Sequence, residues 1–125
     1  MIVGVGIDLI SISKISKSIK SESFRHKVFT PAEIEFCESF TNAAEHYAGK
    51  FAAKEAFMKA LGKGIRQEVW FTQIEVLNYE TGAPYIQVSG EAKRTLASLD
   101  VERVHISLSH TKEMAIAIII FESNN

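Results

Sequence analysis

Two carboxylates and a lysine in this 125-residue chain are of the types that bind a divalent cation and a phosphate group. Asp8 alternates with two glycines in an apolar segment, and Glu55 lies beside the apolar stripe of an alanine-rich segment, with Lys59 one helical turn later. Two hard oxygen ligands favour magnesium over zinc, because magnesium takes one or two carboxylates and completes its shell with water and phosphate oxygens. In such a site Lys59 would face the phosphates.

Each of these residues also has a purely structural interpretation. Asp8 alone is better explained as the cap of a following helix or as a turn residue, and Glu55 with Lys59 has the spacing of a surface ion pair. The stretch from Gly62 to Gly64 lacks the strand that precedes a phosphate loop, so a glycine helix stop explains it better. His110, at the mouth of a hairpin, either donates to a phosphate or finishes a turn.

Composition and charge narrow the classes of function. The 14 basic and 15 acidic residues leave no overall positive field to hold nucleic acid or an anionic membrane. The longest apolar run, 114–121, is too short to span a bilayer, and the start of the chain does not read as a signal peptide. The lone Cys37 excludes a disulfide framework, so a reducing cytoplasm is the expected compartment. The length predicts one domain over residues 1–125.

The elements that must position these residues follow from periodicity and capping signals. Period-two alternation predicts strands at 2–10, 70–78, 85–88, 104–109 and 114–121. Apolar residues spaced by three or four, together with helix-start signals, predict helices at 11–20, from 31 onward, at 43–61 and at 91–99. The expected fold class is α+β, with a small antiparallel sheet packed with a long central helix and shorter helices.

Two further features concern partners. The segment from Ser11 to Lys27 holds five basic residues against one acidic residue, so it is either a solvated helix face or a docking face for an acidic protein. The last strand, 114–121, is apolar on both faces. Because one face of a small antiparallel sheet normally meets water, this strand predicts burial by a second layer or by another subunit.

Three separated segments resemble one family in the same order. They are Gly4-Val5-Gly6-Ile7-Asp8, the block from Ala48 to Gly64 around FAAKEAFMKALGKG, and Ser107-Leu108-Ser109-His110-Thr111. The Phe29-Thr30-Pro31-x-Glu33 and Gly82-x-Pro84 elements also fall where that family has similar ones. The chain therefore resembles the bacterial holo-acyl-carrier-protein synthases, which are small 4'-phosphopantetheinyl transferases.

The resemblance implies transfer of the 4'-phosphopantetheine arm of coenzyme A to a serine of apo acyl carrier protein, with release of adenosine 3',5'-bisphosphate, in support of fatty acid biosynthesis. It implies Mg²⁺ as the cofactor, with Asp8 and Glu55 as its ligands, and Glu55 and Lys59 as the catalytic residues. The coenzyme A contacts it implies are Lys50, Lys59, Gly62, Gly64, Pro84, Ser109 and His110. Given the resemblance, the basic segment is expected to dock the carrier protein through Lys14, Lys17 and Arg25.

The resemblance also implies the phosphopantetheinyl transferase fold and a homotrimer whose active sites lie between subunits, which would bury the doubly apolar strand. The sequence departs from the commonest family pattern at Lys14 and Lys50, where many relatives have arginine. Lysine keeps the charge but lacks the planar guanidinium fork, so contacts to a carboxylate or a phosphate are expected to be weaker or rearranged.

Overall fold

The computed structural model describes residues 1–62 and 68–125, and its elements confirm the α+β class. In chain order they are β1 (Ile2–Ser11), α1 (Ile12–Ser18), α2 (Glu22–Val28), α3 (Pro31–Glu38), α4 (Ala43–Leu61), β2 (Ile74–Asn78), β3 (Pro84–Val88), α5 (Gly90–Ser98), β4 (Arg103–His110) and β5 (Met114–Glu122). Within the described ranges, no helix is both long and apolar enough to cross a membrane.

The strands form two antiparallel sheets instead of one. The larger sheet has the order β1-β5-β4, and β2 pairs with β3 in a separate hairpin. In the larger sheet Asp8 lies opposite Ala117, which in turn lies opposite Leu108, so the ends of the chain meet in one sheet. The closing hairpin therefore supports the strand that carries Asp8.

Helix α4 packs across the inner face of the larger sheet, and small residues make this approach close. A Cβ atom on Gly4 would lie 2.6 Å from the Ala60 carbonyl oxygen, and one on Gly6 would overlap the carbonyl of Ala56. Because side chains alternate along a strand, Asp8 projects from the same face as these glycines. The glycine pattern thus brings the Asp8 carboxylate against α4.

The boundaries differ from the sequence-based predictions in two places. The strand predicted from Trp70 begins only at Ile74, because residues Phe71–Gln73 form a 3-10 turn. The sequence patterns also did not predict α2, whose N-terminal cap is Ser21. The start of α3 agrees with its prediction: the hydroxyl of Thr30 accepts from the Glu33 amide at 3.3 Å, and the Glu33 carboxylate accepts from the Thr30 amide at 2.8 Å.

The outer face of the larger sheet is apolar across two strands. Three cross-strand pairs lie there, namely Val5 with Ile120, Ile7 with Ile118 and Leu9 with Ile116. The three residues of β1 in these pairs are each more than half exposed. Only one face of β5 is therefore buried under α4, and the prediction that both faces are covered is not met within a single chain.

Candidate active site

The candidate site is built around an ion pair between Asp8 on β1 and Lys59 on α4. The Lys59 ammonium lies 3.0 Å from Asp8 Oδ1 and also donates to the Ile7 carbonyl at 3.1 Å. The Asp8 side chain is only 15% exposed, whereas that of Lys59 is 47% exposed. The carboxylate is thus largely sheltered, while the ammonium that pairs with it is partly open to solvent.

Asp8 is not the cap of the following helix. The side chain of Ser11 accepts from the Lys14 amide at 3.3 Å and caps α1 instead. Asp8 also lies within β1 and not in a turn, so the structural interpretation that the sequence favoured for it is wrong, and its carboxylate pairs with Lys59 instead.

Glu55 lies one turn before Lys59 on α4 and is half-buried. Residues four apart on a helix are neighbours, with Cβ atoms about 6 Å apart. Glu55 thus lies on the face of α4 that presents Lys59 to Asp8. The helix ends at Leu61, where Gly62 has a φ of 88° as the C-cap and donates to the Lys59 carbonyl at 3.2 Å. The glycine stop is confirmed at this residue, and the predicted coenzyme contact Gly64 lies outside the described residues.

The donor set at this point fits a magnesium ion. Among residues 1–62 and 68–125, no group of three His, Cys, Asp or Glu side chains is arranged to hold a metal by itself. Magnesium does not need such a cage, since it keeps several waters and takes substrate phosphates alongside one or two carboxylates. The Asp8 carboxylate already pairs with the positive charge of the Lys59 ammonium. A metal ion bound there would share this carboxylate with Lys59 or replace Lys59 as its partner.

A second group of predicted residues lines a different pocket, of about 140 Å³. It contains Lys50, Ser109 and His110, together with Glu45 and His46. The His110 ring is exposed, with Nδ1 3.2 Å from the carbonyl oxygen of Thr111 and 4.0 Å from Glu45 Oε2. The turn interpretation of His110 and the ligand-binding one are therefore compatible, because the ring ends a strand and opens onto the pocket.

His46 belongs to this pocket but was not among the predicted site residues. Its ring stacks on that of Phe40 with centroids 3.9 Å apart, and burial lowers its pKa below the ordinary value. The sequence spacing could have predicted this position, because His46 precedes Lys50 by four residues and therefore lies on the same face of the helix.

Lys50 is 3% exposed, and partners within the chain already use its charge. Its ammonium donates to the Val76 carbonyl at 2.5 Å and to Asn78 Oδ1 at 2.8 Å, and it lies 4.5 Å from the centroid of the Phe36 ring. Burial lowers the pKa of Lys50. The residue is therefore at the pocket wall but oriented toward β2.

Lys54, the neighbour of Glu55 in the sequence, forms a fully buried ion pair with Glu33, which the sequence analysis did not predict. The Lys54 ammonium donates to Glu33 Oε1 at 2.8 Å, to the Phe71 carbonyl at 2.9 Å and to the Ile74 carbonyl at 2.7 Å. Burial lowers the pKa of Lys54. The pair therefore links α3 and the start of β2 to the helix that carries the candidate site.

One chain thus presents two half-sites. Lys50 and Lys59 are nine residues apart on α4, or about 14 Å along the helix axis. Of the described residues that line the 140 Å³ pocket, none is Asp8, Glu55 or Lys59. The predicted coenzyme contacts are therefore not brought together around a single cleft of one chain.

The predicted coenzyme contact Pro84 and the predicted docking residues lie elsewhere on the surface. Pro84 pairs with Asn78 at the turn end of the β2–β3 hairpin. Lys14 and Lys17 are exposed on α1. Arg25 is half-buried and donates to the Ile19 carbonyl at the end of α1, so it also stabilises the basic segment.

Comparison with known proteins identifies the family. The family model described as the 4'-phosphopantetheinyl transferase superfamily matches residues 4–119. The chain belongs to this superfamily. The resemblance drawn from its three sequence segments is thereby confirmed, and the matched range contains every residue of both half-sites.

Similar proteins of this superfamily cover the whole chain. The holo-[acyl-carrier-protein] synthase of Halothermothrix orenii is 41% identical over 124 residues, which is 98% of this chain and 98% of the relative. The crystal structure of a Bacillus anthracis holo-(acyl-carrier-protein) synthase, in complex with CoA (3',5'-ADP), is 38% identical, covers 99% of both chains and has a TM-score of 0.82. The Neisseria meningitidis synthase is 30% identical, with a TM-score of 0.88 over 98% of this chain and 100% of that one.

Proposed function

We propose that this chain transfers the 4'-phosphopantetheine arm of coenzyme A to a serine of apo acyl carrier protein. The observation that carries the proposal is the ion pair between Asp8 and Lys59, whose atoms lie 3.0 Å apart. Lys59 shares its helix face with Glu55, and the chain belongs to the 4'-phosphopantetheinyl transferase superfamily. Two carboxylates and an ammonium can assist a displacement at phosphorus, because in such a reaction the protein mainly positions the reactants and balances their charge.

In the proposed reaction the serine oxygen attacks the phosphorus that carries the pantetheine arm. A bond from this oxygen to phosphorus forms, the bond to the bridging diphosphate oxygen breaks, and adenosine 3',5'-bisphosphate leaves. Glu55 accepts the proton of the serine hydroxyl. The Lys59 ammonium binds phosphate oxygens and offsets the charge that builds on the leaving group.

We further propose Mg²⁺ as the cofactor, held by Asp8 and Glu55. When bound, the ion supplies neutralisation of the diphosphate charge. The support is the chemistry of the donor set, which consists of hard oxygens with room for water and phosphate.

Coenzyme A is proposed to contact residues of both half-sites, and the enzyme is proposed to be a homotrimer with its active sites between subunits. The contacts are Lys59, Gly62, Gly64, Pro84, Ser109 and His110, with Lys50 treated separately below. Two observations support the assembly. The half-sites lie about 14 Å apart along α4, and the outer sheet face is apolar and more than half exposed along β1.

The carrier protein is proposed to dock on the basic segment through Lys14, Lys17 and Arg25. An acidic protein is attracted to such a face by charge complementarity, which raises the rate of encounter more than the final affinity. The segment begins directly after β1, so a carrier bound there would lie beside Asp8. Residues 1–125 are proposed to act as one domain, in the cytoplasm and in support of fatty acid biosynthesis.

The experiment is mass spectrometry of apo acyl carrier protein incubated with this enzyme, coenzyme A and MgCl₂. We expect the carrier to gain one phosphopantetheine group and adenosine 3',5'-bisphosphate to appear in equal amount. A Glu55→Gln variant and a reaction with excess EDTA are expected to lack both products. Coenzyme binding without any transfer, where a control synthase modifies the same carrier, would contradict the proposal and indicate a nucleotide-binding module.

A further inference from the structure

Two buried lysines of α4 hold the separate β2–β3 hairpin. Lys50 and Lys54 are one turn apart, and they bind alternate main-chain carbonyls of β2, those of Val76 and Ile74 respectively. Alternate carbonyls of a strand point the same way, so both ammonium groups serve one edge of this strand. The hairpin is thus fixed to the central helix by charge-assisted hydrogen bonds as well as by apolar packing.

Asn78 extends this attachment to the turn of the hairpin. Its Oδ1 accepts from Lys50 at 2.8 Å, and its Nδ2 donates to the Gly82 carbonyl at 2.9 Å. Asn78 is also the strand partner of Pro84. Two successive side-chain hydrogen bonds therefore run from the Lys50 ammonium through one carboxamide to the turn between β2 and β3.

These contacts use most of the hydrogen-bonding capacity of the Lys50 ammonium. An ammonium has three N–H donors, and two of them meet Val76 and Asn78. The face of the Phe36 ring, 4.5 Å away, stabilises the same charge. Because Lys50 is only 3% exposed, a phosphate could reach this ammonium only if the side chain moved away from Val76, whose buried carbonyl would then lose its partner.

We infer that Lys50 is a positioning residue, which acts through Asn78 to hold the Gly82–Pro84 turn, and that it does not bind a coenzyme phosphate directly. The inference rests on the proposed function, because Pro84 is a coenzyme contact only under that proposal. Under this inference the Lys50 ammonium holds the pocket wall in place and does not contact the ligand.

The first test needs no ligand and measures amide hydrogen exchange in the free protein. Two amides of the turn are hydrogen-bonded and therefore report on its stability. The Tyr79 amide donates to the Ala83 carbonyl at 2.9 Å, and the Gly82 amide donates to the Tyr79 carbonyl at 2.8 Å. We expect Lys50→Met and Asn78→Ala both to accelerate exchange at these amides about tenfold or more. Exchange in Lys50→Met equal to that of the wild type would overturn the inference.

Two control variants accompany this test. Lys93→Met removes an exposed lysine of α5 and is expected to leave exchange at the turn unchanged. Lys50→Arg keeps donors at the same position and is expected to keep most of the protection. Exchange in Lys50→Arg as fast as in Lys50→Met would contradict a role based on hydrogen-bond donation.

The second test is a double-mutant cycle on the transfer reaction. If Lys50 acts through Asn78, Lys50→Met and Asn78→Ala should each raise the KM for coenzyme A by about tenfold, and the double variant should show about the same tenfold increase. The kcat should stay within about twofold, because neither side chain touches the reacting phosphorus. An increase of about one hundredfold in the double variant would mean independent effects, and would favour direct binding of the coenzyme by Lys50.

The two proposals fail in different ways. A wild-type protein that neither binds nor uses coenzyme A would end the proposed function, while the exchange experiment would still decide how Lys50 holds the hairpin. Should Lys50→Met fail to fold, Asn78→Ala removes the same link with a smaller loss and keeps both measurements possible.

Discussion

At the scale of single residues, the candidate chemistry depends on a carboxylate that the protein holds in a half-sheltered position. Asp8 is shielded by α4 but keeps one oxygen against the Lys59 ammonium. Because the lysine of this pair is 47% exposed, the pair is expected to contribute at most about 1 kcal/mol to folding. If the pair serves binding and catalysis as proposed, replacing it should separate activity from stability.

We predict that Asp8→Asn lowers kcat/KM for transfer by about one hundredfold or more, because the neutral amide is a poor ligand for magnesium. The free energy of unfolding should change by no more than about 1 kcal/mol. Steady-state kinetics and chemical denaturation measure the two effects. Glu91→Gln is the matched control, since it removes a partly exposed carboxylate that lies 2.9 Å from the Arg94 guanidinium. Unchanged turnover in Asp8→Asn would remove Asp8 from the site.

A second prediction at this scale concerns Cys37, whose thiol is fully buried on α3. Burial is the main cause that raises its pKa from 9.0 to about 12. Above pH 9 the unfolded thiol loses its proton while the folded thiol keeps it, so the folded state binds more protons and stability falls as pH rises toward 12.

The measurement is the free energy of unfolding of the wild type and of Cys37→Ala as a function of pH. The difference between the two should be constant below pH 9 and should then shrink by up to about 1.4 kcal/mol per pH unit. The other titrating groups are common to both proteins, so they cancel in this difference. A constant difference up to high pH would mean that the folded thiol ionises as easily as the unfolded one.

At the scale of elements, the contact between β1 and α4 decides where Asp8 lies. The two backbones approach closely because Gly4 and Gly6 face Ala60 and Ala56. Any side chain on these glycines would push the strand away from the helix. The same contact therefore determines both the core packing and the Asp8–Lys59 distance.

We predict that Gly6→Ala destabilises the protein by about 3 kcal/mol or more, since the new Cβ would overlap main-chain atoms that cannot move aside. Thermal or chemical unfolding measures the loss. Gly49→Ala is the control on α4, because the nearest atom to its new Cβ would be 3.6 Å away. That change should be neutral or stabilising by up to about 1 kcal/mol. Equal effects of the two substitutions would contradict the close approach.

The buried ion pair makes a further prediction about elements. Lys54→Met leaves the Glu33 carboxylate buried without its cation, which is expected to cost about 3–5 kcal/mol of unfolding free energy. Lys93→Met, on the surface of α5, should stay within about 0.5 kcal/mol of the wild type. Denaturant titration compares them. A loss of less than about 1 kcal/mol in Lys54→Met would show that the pair does not hold α3, α4 and β2 together.

At the scale of the whole molecule, the apolar outer face of the β1-β5-β4 sheet requires an explanation beyond the fold. Its three cross-strand pairs lie next to each other, and the β1 members are more than half exposed. A contiguous apolar surface is typical of an interface with another protein. Together with the separated half-sites, this face supports the proposed trimer.

We predict that Ile118→Asp prevents assembly, because burying the new carboxylate without a partner would cost several kcal/mol. Ile118 lies between Ile7 and Ser107 at the centre of the outer face. Light scattering after size exclusion should give a trimer for the wild type and for Lys93→Asp, and a monomer without transferase activity for Ile118→Asp. A fully assembled Ile118→Asp protein, or a monomeric active wild type, would contradict the proposed assembly.

The sequence predicted most features that depend on local chemistry. The alternation that puts Asp8 with the glycines, the Thr30–Glu33 capping box and the end of α4 at Gly62 all appear in the structure. The start of β2 was missed by four residues, because Trp70 and its neighbours are as apolar as a strand but form a 3-10 turn. Local periodicity does not distinguish these two structures over such a short segment.

By itself, then, the sequence determined most of the elements and the candidate chemistry of Asp8, Glu55 and Lys59, because spacing along a strand or helix sets which side chains share a face. Its three motif segments also indicated the family. Only the tertiary structure decided which charges are already paired. It paired Lys59 with Asp8 and buried Lys50 and Lys54 against carbonyls of β2. These partners are distant in sequence, and whether a charge faces water or an acceptor depends on how the elements pack.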